Sequence, residues 1–240
     1  MTPTLELRKV SRVHGTGRTK VDALVDASLV VTAGELVAVM GPSGSGKTTL
    51  LSLAGGLERP TSGEVLVEAT PLSRMSAGRL ASLRRRKVGY VFQQFNLIEG
   101  LTAAENVSVP LELDGVGRRA ARRAAMEALD DLGLSELADR FPDELSGGEQ
   151  QRVAIARAVV GDRVLLLADE PTGALDTVRG EEVLRLLRRH CERGGAGVLV
   201  THDARLAAWA ERVVFLRDGR IVDETAPRGD ADALLDSVQA

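Results

Sequence analysis

Short apolar runs punctuated by glycine, alternating with stretches of helical period, organise this chain. LVAVM at 36–40 and VLLLA at 164–168 are too short for ordinary helices and read as strands buried on both faces. Residues 5–10 and 27–31 predict earlier strands, the second running into a turn at Gly34. Directly after 36–40 comes GPSGSGKTTLLSLAGGL, a glycine loop followed by a helix. Leu50, Leu51, Leu53 and Ala54 supply that helix with an apolar face, and Gly55 and Gly56 stop it.

Further along, 63–67 predicts a strand, 76–86 a basic amphipathic helix and 88–92 a return to strand. Helical spacing then takes over at 103–113, at 118–132 and in a segment starting at Glu149. The alternation resumes with a helix over 179–192 and strands at 197–201, 212–216 and 220–222, the last two joined by Asp218-Gly219. Apolar strands alternating with helices predict an α/β fold with a mainly parallel sheet, an antiparallel β part at the N-terminus and a helical subdomain inserted at about 95–158. No repeat or low-complexity linker divides residues 1–240, so a single domain is expected, closed by a loosely docked terminal helix over the last 15 residues.

Composition narrows the function. At 44% hydrophobic and 27% charged the chain is an ordinary globular sequence, and 240 residues bury a sizeable core without staples. A single cysteine, Cys191, excludes an internal disulfide. Aromatics at 2% argue against stacking platforms for nucleic acid, and a net charge of −3 gives no global pull towards nucleic acid or anionic lipid. The first residues show no signal-peptide pattern, and no run approaches the roughly 18 apolar residues of a membrane span. Work at a membrane would therefore need a partner.

The chemistry starts at residues 41–48, which match the phosphate loop GxxxxGK[ST] between a buried strand and a helix, the context that motif requires. Gly41, Pro42, Ser43, Gly44, Ser45 and Gly46 let backbone N–H groups and the helix start converge on phosphate oxygens. Lys47 suits the β- and γ-phosphates, Thr48 suits Mg²⁺, and Thr49 continues the loop into the helix. Asp169 and Glu170 end the apolar run at 164–168, where open α/β sheets bind ligands; Asp169 fits the metal side and Glu170 the general base. Gln93 and His202 end two other strands. Gln93 could hold the metal or orient water, and His202 could reach the γ-phosphate, but both are also ordinary strand-end hydrogen bonders. Ser146, Gly147 and Gly148 open a helix and offer a second anion-binding start, for which one nucleotide held at 41–48 has no use.

In order along the chain stand GPSGSGKTT, Gln93, LSGGEQ at 145–150, LLLADEP at 165–171, ALD at 174–176 and His202. In that set the chain resembles the ATP-binding subunit of an ABC transporter, a P-loop NTPase, over nearly its whole length. The resemblance implies a head-to-tail dimer, with a second copy or a homologous subunit, that sandwiches two Mg-ATP. Each ATP would lie between one chain's phosphate loop and the other's Ser146, Gly147, Gly148 and Glu149, with Asp176 linking the sites. It also implies Gln93 and His202 as sensors of metal and γ-phosphate, and puts His14 where family members carry an aromatic that stacks on adenine. GTGRTKVDALVDASL and YVFQQFNLIEGLTAAENVSVPL are similar to the subgroup serving macrolide-exporter, lipoprotein-release and cell-division permeases. That similarity implies an integral membrane permease as partner and a place on the cytoplasmic face of the membrane. A soluble cassette ATPase of DNA repair or translation is the rival; it would be expected to carry large insertions or tandem cassettes, and one motif set stands here.

Overall fold

The computed structural model describes residues 2–225, so the expected terminal helix falls outside the described residues. Two sheets share one buried layer. The first is antiparallel, in the order β2-β1-β4-β5, from β1 (Leu5–His14), β2 (Val21–Val31), β4 (Ser62–Val67) and β5 (Thr70–Pro71). The second, in the order β10-β9-β3-β8-β7-β6, is built from β3 (Leu36–Met40), β6 (Val88–Val91), β7 (Leu165–Asp169), β8 (Ala196–Val200), β9 (Arg212–Arg217) and β10 (Arg220–Thr225). Its β9, β3, β8, β7 and β6 run parallel, and β10 returns antiparallel.

All five residues of β3, β7 and β8 are buried, because each face of the parallel sheet is covered. Val37 and Val39 face the antiparallel sheet and α1 (Lys47–Ala54), whose buried side is Leu50, Leu51, Leu53 and Ala54 as expected. Leu36, Ala38 and Met40 face the opposite way, towards α3 (Ala103–Glu112), α4 (Arg118–Asp130), α5 (Gly147–Val159) and α6 (Thr177–Glu192). The smaller α2 (Ala77–Lys87) precedes β6, and α7 (Ala204–Ala207) precedes β9. Helix α5 lies directly on β6: a Cβ at Gly89 would stand 2.0 Å from the Ala158 carbonyl oxygen, so only glycine fits there.

Strands β1 and β2 are longer than 5–10 and 27–31. Their pairing shifts register at Leu7/Val10, Val10/Arg12 and Arg12/Val13, and Lys9 and Asp26 carry φ of 46° and 48° at these irregularities. Bulges break the period-2 alternation on which a pattern-based boundary depends. Helix α5 starts at Gly147 instead of Glu149 because Ser146 caps it, accepting from the Glu149 amide while Glu149 accepts from the Ser146 amide at 2.8 Å. The ends of β3, β6, β7 and β8 emerge on one edge, and every strand-end residue singled out above follows one of them.

Candidate active site

The loop after β3 turns through left-handed backbone at Gly41 (φ 153°), Gly44 (φ 80°) and Gly46 (φ 104°). A Cβ at Gly41 would sit 2.1 Å from the Leu216 carbonyl oxygen and one at Gly46 2.3 Å from that of Ala23, so the loop is wedged between β9 and β2. The turn between β9 and β10 adds a clamp: the Gly219 amide donates to the Ser45 carbonyl at 3.0 Å, and the Val25 amide to the Gly219 carbonyl at 2.8 Å. Lys47 folds back over the loop, its Nζ donating to the carbonyls of Gly41 (2.7 Å) and Pro42 (2.8 Å). Burial lowers the Lys47 ammonium below its usual range, opposed by the charges of Glu170 and Asp169.

Thr48 Oγ1 donates to Asp169 Oδ2 at 2.8 Å, joining the start of α1 to the end of β7. Asp169 is buried, and burial raises its carboxyl above the usual range against the lowering effect of the Thr48 hydrogen bond. Glu170 follows with φ 48°, a left-handed conformation that costs a side-chain-bearing residue about 1 kcal/mol. Its amide donates to the Val200 carbonyl at 3.0 Å, and its Oε1 lies 2.8 Å from His202 Nδ1. The Glu170 side chain is largely covered while that of His202 is 79% exposed, so the ring is free to leave.

These residues line one cleft of about 760 Å³. Gln93, exposed after β6, lines it with Gly41, Pro42, Ser43, Gly44, Gly46, Lys47, Thr48 and Thr49. Ser45 instead lies beneath, its Oγ buried without a partner. Asp22, Ala23, Asp218 and Gly219 complete the wall, and sequence reasoning missed them. The Asp218-Gly219 turn was visible as a connector, but its clamp on the phosphate loop depends on β9 pairing with β3.

His14, expected beside adenine, does not line this cleft, and neither do Ser146–Glu149 or Asp176, whose expected place is across a dimer from it. Arg12 and His14 share a face of β1 and converge on Glu58, with Arg12 Nε at 2.9 Å and His14 Nε2 at 3.9 Å. That contact with Glu58 is the one the structure shows for the imidazole. Ser146 to Glu149 stand at the start of α5, away from the cleft lining. Asp176 caps α6 by accepting from the Arg179 amide at 2.9 Å. The last two groups neighbour each other, since a Cβ at Gly148 would be 3.3 Å from the Ala174 carbonyl oxygen.

A nucleotide triphosphate with Mg²⁺ fits what is present. The side-chain-free cradle at Gly41 and Gly46, the start of α1 and the Lys47 ammonium suit phosphate oxygens. Thr48 and Asp169 present a hydroxyl and a carboxylate within reach of one hard cation. Among the described residues no three His, Cys, Asp or Glu side chains gather to hold a metal.

Comparison with known proteins gives concordant results. A family model described as ABC transporter matches residues 24–173. The chain is 48% identical over 221 residues to an uncharacterized ABC transporter ATP-binding protein of Thermotoga maritima, covering 92% of this chain and 94% of that one. It is 47% identical over 222 residues to the macrolide export ATP-binding/permease protein MacB of Salmonella choleraesuis, with 92% of this chain covered but only 34% of MacB. The solved ATP-binding cassette MJ0796, a dimer in a post-hydrolysis state bound to ADP and Pi, superposes with a TM-score of 0.89 at 41% identity, covering 94% of this chain and all of that one.

Proposed function

The chain belongs to the ABC transporter family as its ATP-binding, ATP-hydrolysing subunit, and from that premise we propose how its own residues carry out the work. A triphosphate laid on residues 41–48 receives the loop's N–H groups, and Lys47 exchanges the carbonyls of Gly41 and Pro42 for β- and γ-phosphate oxygens. Thr48, Asp169 and Gln93 would hold Mg²⁺, which when bound neutralises charge developing on the phosphates. Glu170 accepts the proton of the attacking water. His202 holds Glu170 in place in the resting cleft and swings its exposed ring to the γ-phosphate when ATP arrives.

Two chains assemble head to tail. Ser146, Gly147, Gly148 and Glu149 open a 13-residue helix that leaves its own cleft untouched, so its N–H groups are available to the partner's nucleotide. Asp176, beside that helix start, links the two sites. The helical insert at about 95–158 meets an integral membrane permease of the macrolide-export or lipoprotein-release type, a reading supported by the likeness to MacB. Among the described residues no helix is long and apolar enough to cross a membrane, and the permease would hold the chain at the membrane's cytoplasmic face.

The single observation that carries the catalytic reading is the Thr48–Asp169 bridge with Glu170 directly beyond it, joined to His202. Glu170→Gln keeps the shape but cannot take the proton, so ATP binding persists while phosphate release falls by about 10²–10⁴-fold. Near wild-type turnover would remove Glu170 from the role of base.

A further inference from the structure

The starts of β7 and β8 lie on the edge of the sheet opposite the nucleotide cleft, and a separate cavity of about 600 Å³ opens there. It shares no lining residue with the cleft. Its walls come from α4, from residues 159–164 between α5 and β7, and from the end of α6 with Gly194 and Gly195.

Arg163 is the unusual residue of this lining. It is only 7% exposed, its Nε is covered without a hydrogen-bond partner, and no carboxylate among the described residues forms an ion pair with it. Two acids reach it by charge alone: Asp114, already held by Arg86 at 2.6 Å, and the exposed Asp162. Burial lowers the Arg163 guanidinium below its usual range, yet a guanidinium keeps its proton, so a positive charge stands largely covered and without an acceptor. Such a donor is costly to leave unmatched, and an anion that brings an acceptor removes the cost. His190 of α6 lines the same cavity, and its Nε2 is also covered without a partner. The ring lies over Gly195, where a Cβ would come within 2.1 Å of Nε2, so only glycine admits it. Burial, and with it the Arg193 charge, lowers the imidazole below its usual range; neutral near pH 7, it offers a hydrogen-bonding group to a ligand.

The exposed charges of the lining are mixed. Glu127 and Asp131 on α4 and Asp162 stand against Arg189 and Arg193, and none of the five is in an ion pair among the described residues. Solvated charges of both signs offset one another and are screened by salt, whereas the covered Arg163 is screened much less. A cation drawn by the acids would meet that guanidinium, and an extended polyanion would meet the acids. The charges therefore select an anion compact enough to reach Arg163. We propose that this cavity binds a small oxyanion, the carboxylate or phosphate group of a compact metabolite, seated on the Arg163 guanidinium with His190 in the wall around it.

The chain has three histidines, His14, His190 and His202, so their ring resonances in NMR spectra of the full chain report on the cavity and the cleft separately. Inorganic phosphate and acetate are titrated in turn, at constant ionic strength set with sodium chloride. The His190 resonances should shift and saturate at roughly millimolar anion, and Arg163→Met should weaken that affinity about 10–100-fold. Arg163→Lys keeps the charge but loses the planar fork, and should weaken it several-fold. Phosphate also reaches the cleft, where His202 records it; a His202 response to ATP like that of wild type shows that each variant is folded. Saturation by phosphate alone, or by acetate alone, would assign the site to that group. Absence of a saturable His190 shift with either anion, or an unchanged affinity in either folded variant, would overturn the proposal.

Discussion

Thr48→Val tests the junction between the phosphate loop and β7 while preserving side-chain shape. Thr48 donates the one hydrogen bond that offsets the burial of Asp169. A hydrogen bond to a charged group contributes about 1.5–3 kcal/mol; because the cleft is open and water can take part of the hydroxyl's place, the lower end applies, about 1.5 kcal/mol. For a chain of this size that is about 3–6 °C in Tm. The pH dependence has a definite sign. A carboxyl whose folded pKa is raised binds its proton more tightly in the native state than in the unfolded one. Its contribution to stability is therefore most favourable at low pH and declines as pH rises from the unfolded value of about 3.9 through the raised folded value. Removing the Thr48 donor raises the Asp169 carboxyl further, so variant and wild type differ most at neutral pH and converge as Asp169 is protonated. Urea unfolding of both proteins near pH 7 and again at about pH 4 measures this. A deficit of the same size at both pH values, or none at either, would refute the bridge as the source.

Three other perturbations address separate parts of the site. Lys47→Ala removes a charge-assisted contact and should weaken binding of a labelled ATP analogue about 10–100-fold; unchanged affinity would remove Lys47 from the phosphate site. Glu170→Gly abolishes hydrolysis like Glu170→Gln but relieves the left-handed backbone, so in urea melts it should be no less stable than the glutamine variant despite losing the side chain. A clear loss relative to Glu170→Gln would show that the φ of 48° carries no strain. Ser146→Arg in a Glu170→Gln background should leave ATP binding to the monomer intact yet abolish the ATP-induced dimer on size-exclusion chromatography, because a bulky cation enters a packed interface. A variant that dimerises as readily as its Glu170→Gln parent would show that the start of α5 does not face a partner's nucleotide.

Features fixed by local chemistry were legible in the chain. LVAVM followed by GPSGSGKTT leaves little freedom, since an apolar run of that length must be a buried strand and the glycine spacing must turn; β3, the loop and the buried side of α1 are where the pattern puts them. Ser146 before two glycines marked a helix start for the same reason. What could not be read depends on non-local register. The bulges at Lys9 and Asp26 lengthen β1 and β2 through positions with no alternation, and Arg12 and His14 meet Glu58 only once β1 and the segment after α1 are brought together.

The same dependence on register explains how one edge of the sheet gathers the groups of the cleft. Neighbouring parallel strands β3, β8, β7 and β6 deliver, in that spatial order, the phosphate loop, His202, the Asp169–Glu170 pair and Gln93, so backbone pairing brings these groups to one cleft. Strand β6 is the outermost of the four, and the chain leaves it through Gln93. Gly89 holds β6 closely against the Ala158 carbonyl of α5. Gln93, the cleft residue that follows β6, therefore depends for its place on the β6–β7 pairing and on the packing of Gly89 against α5.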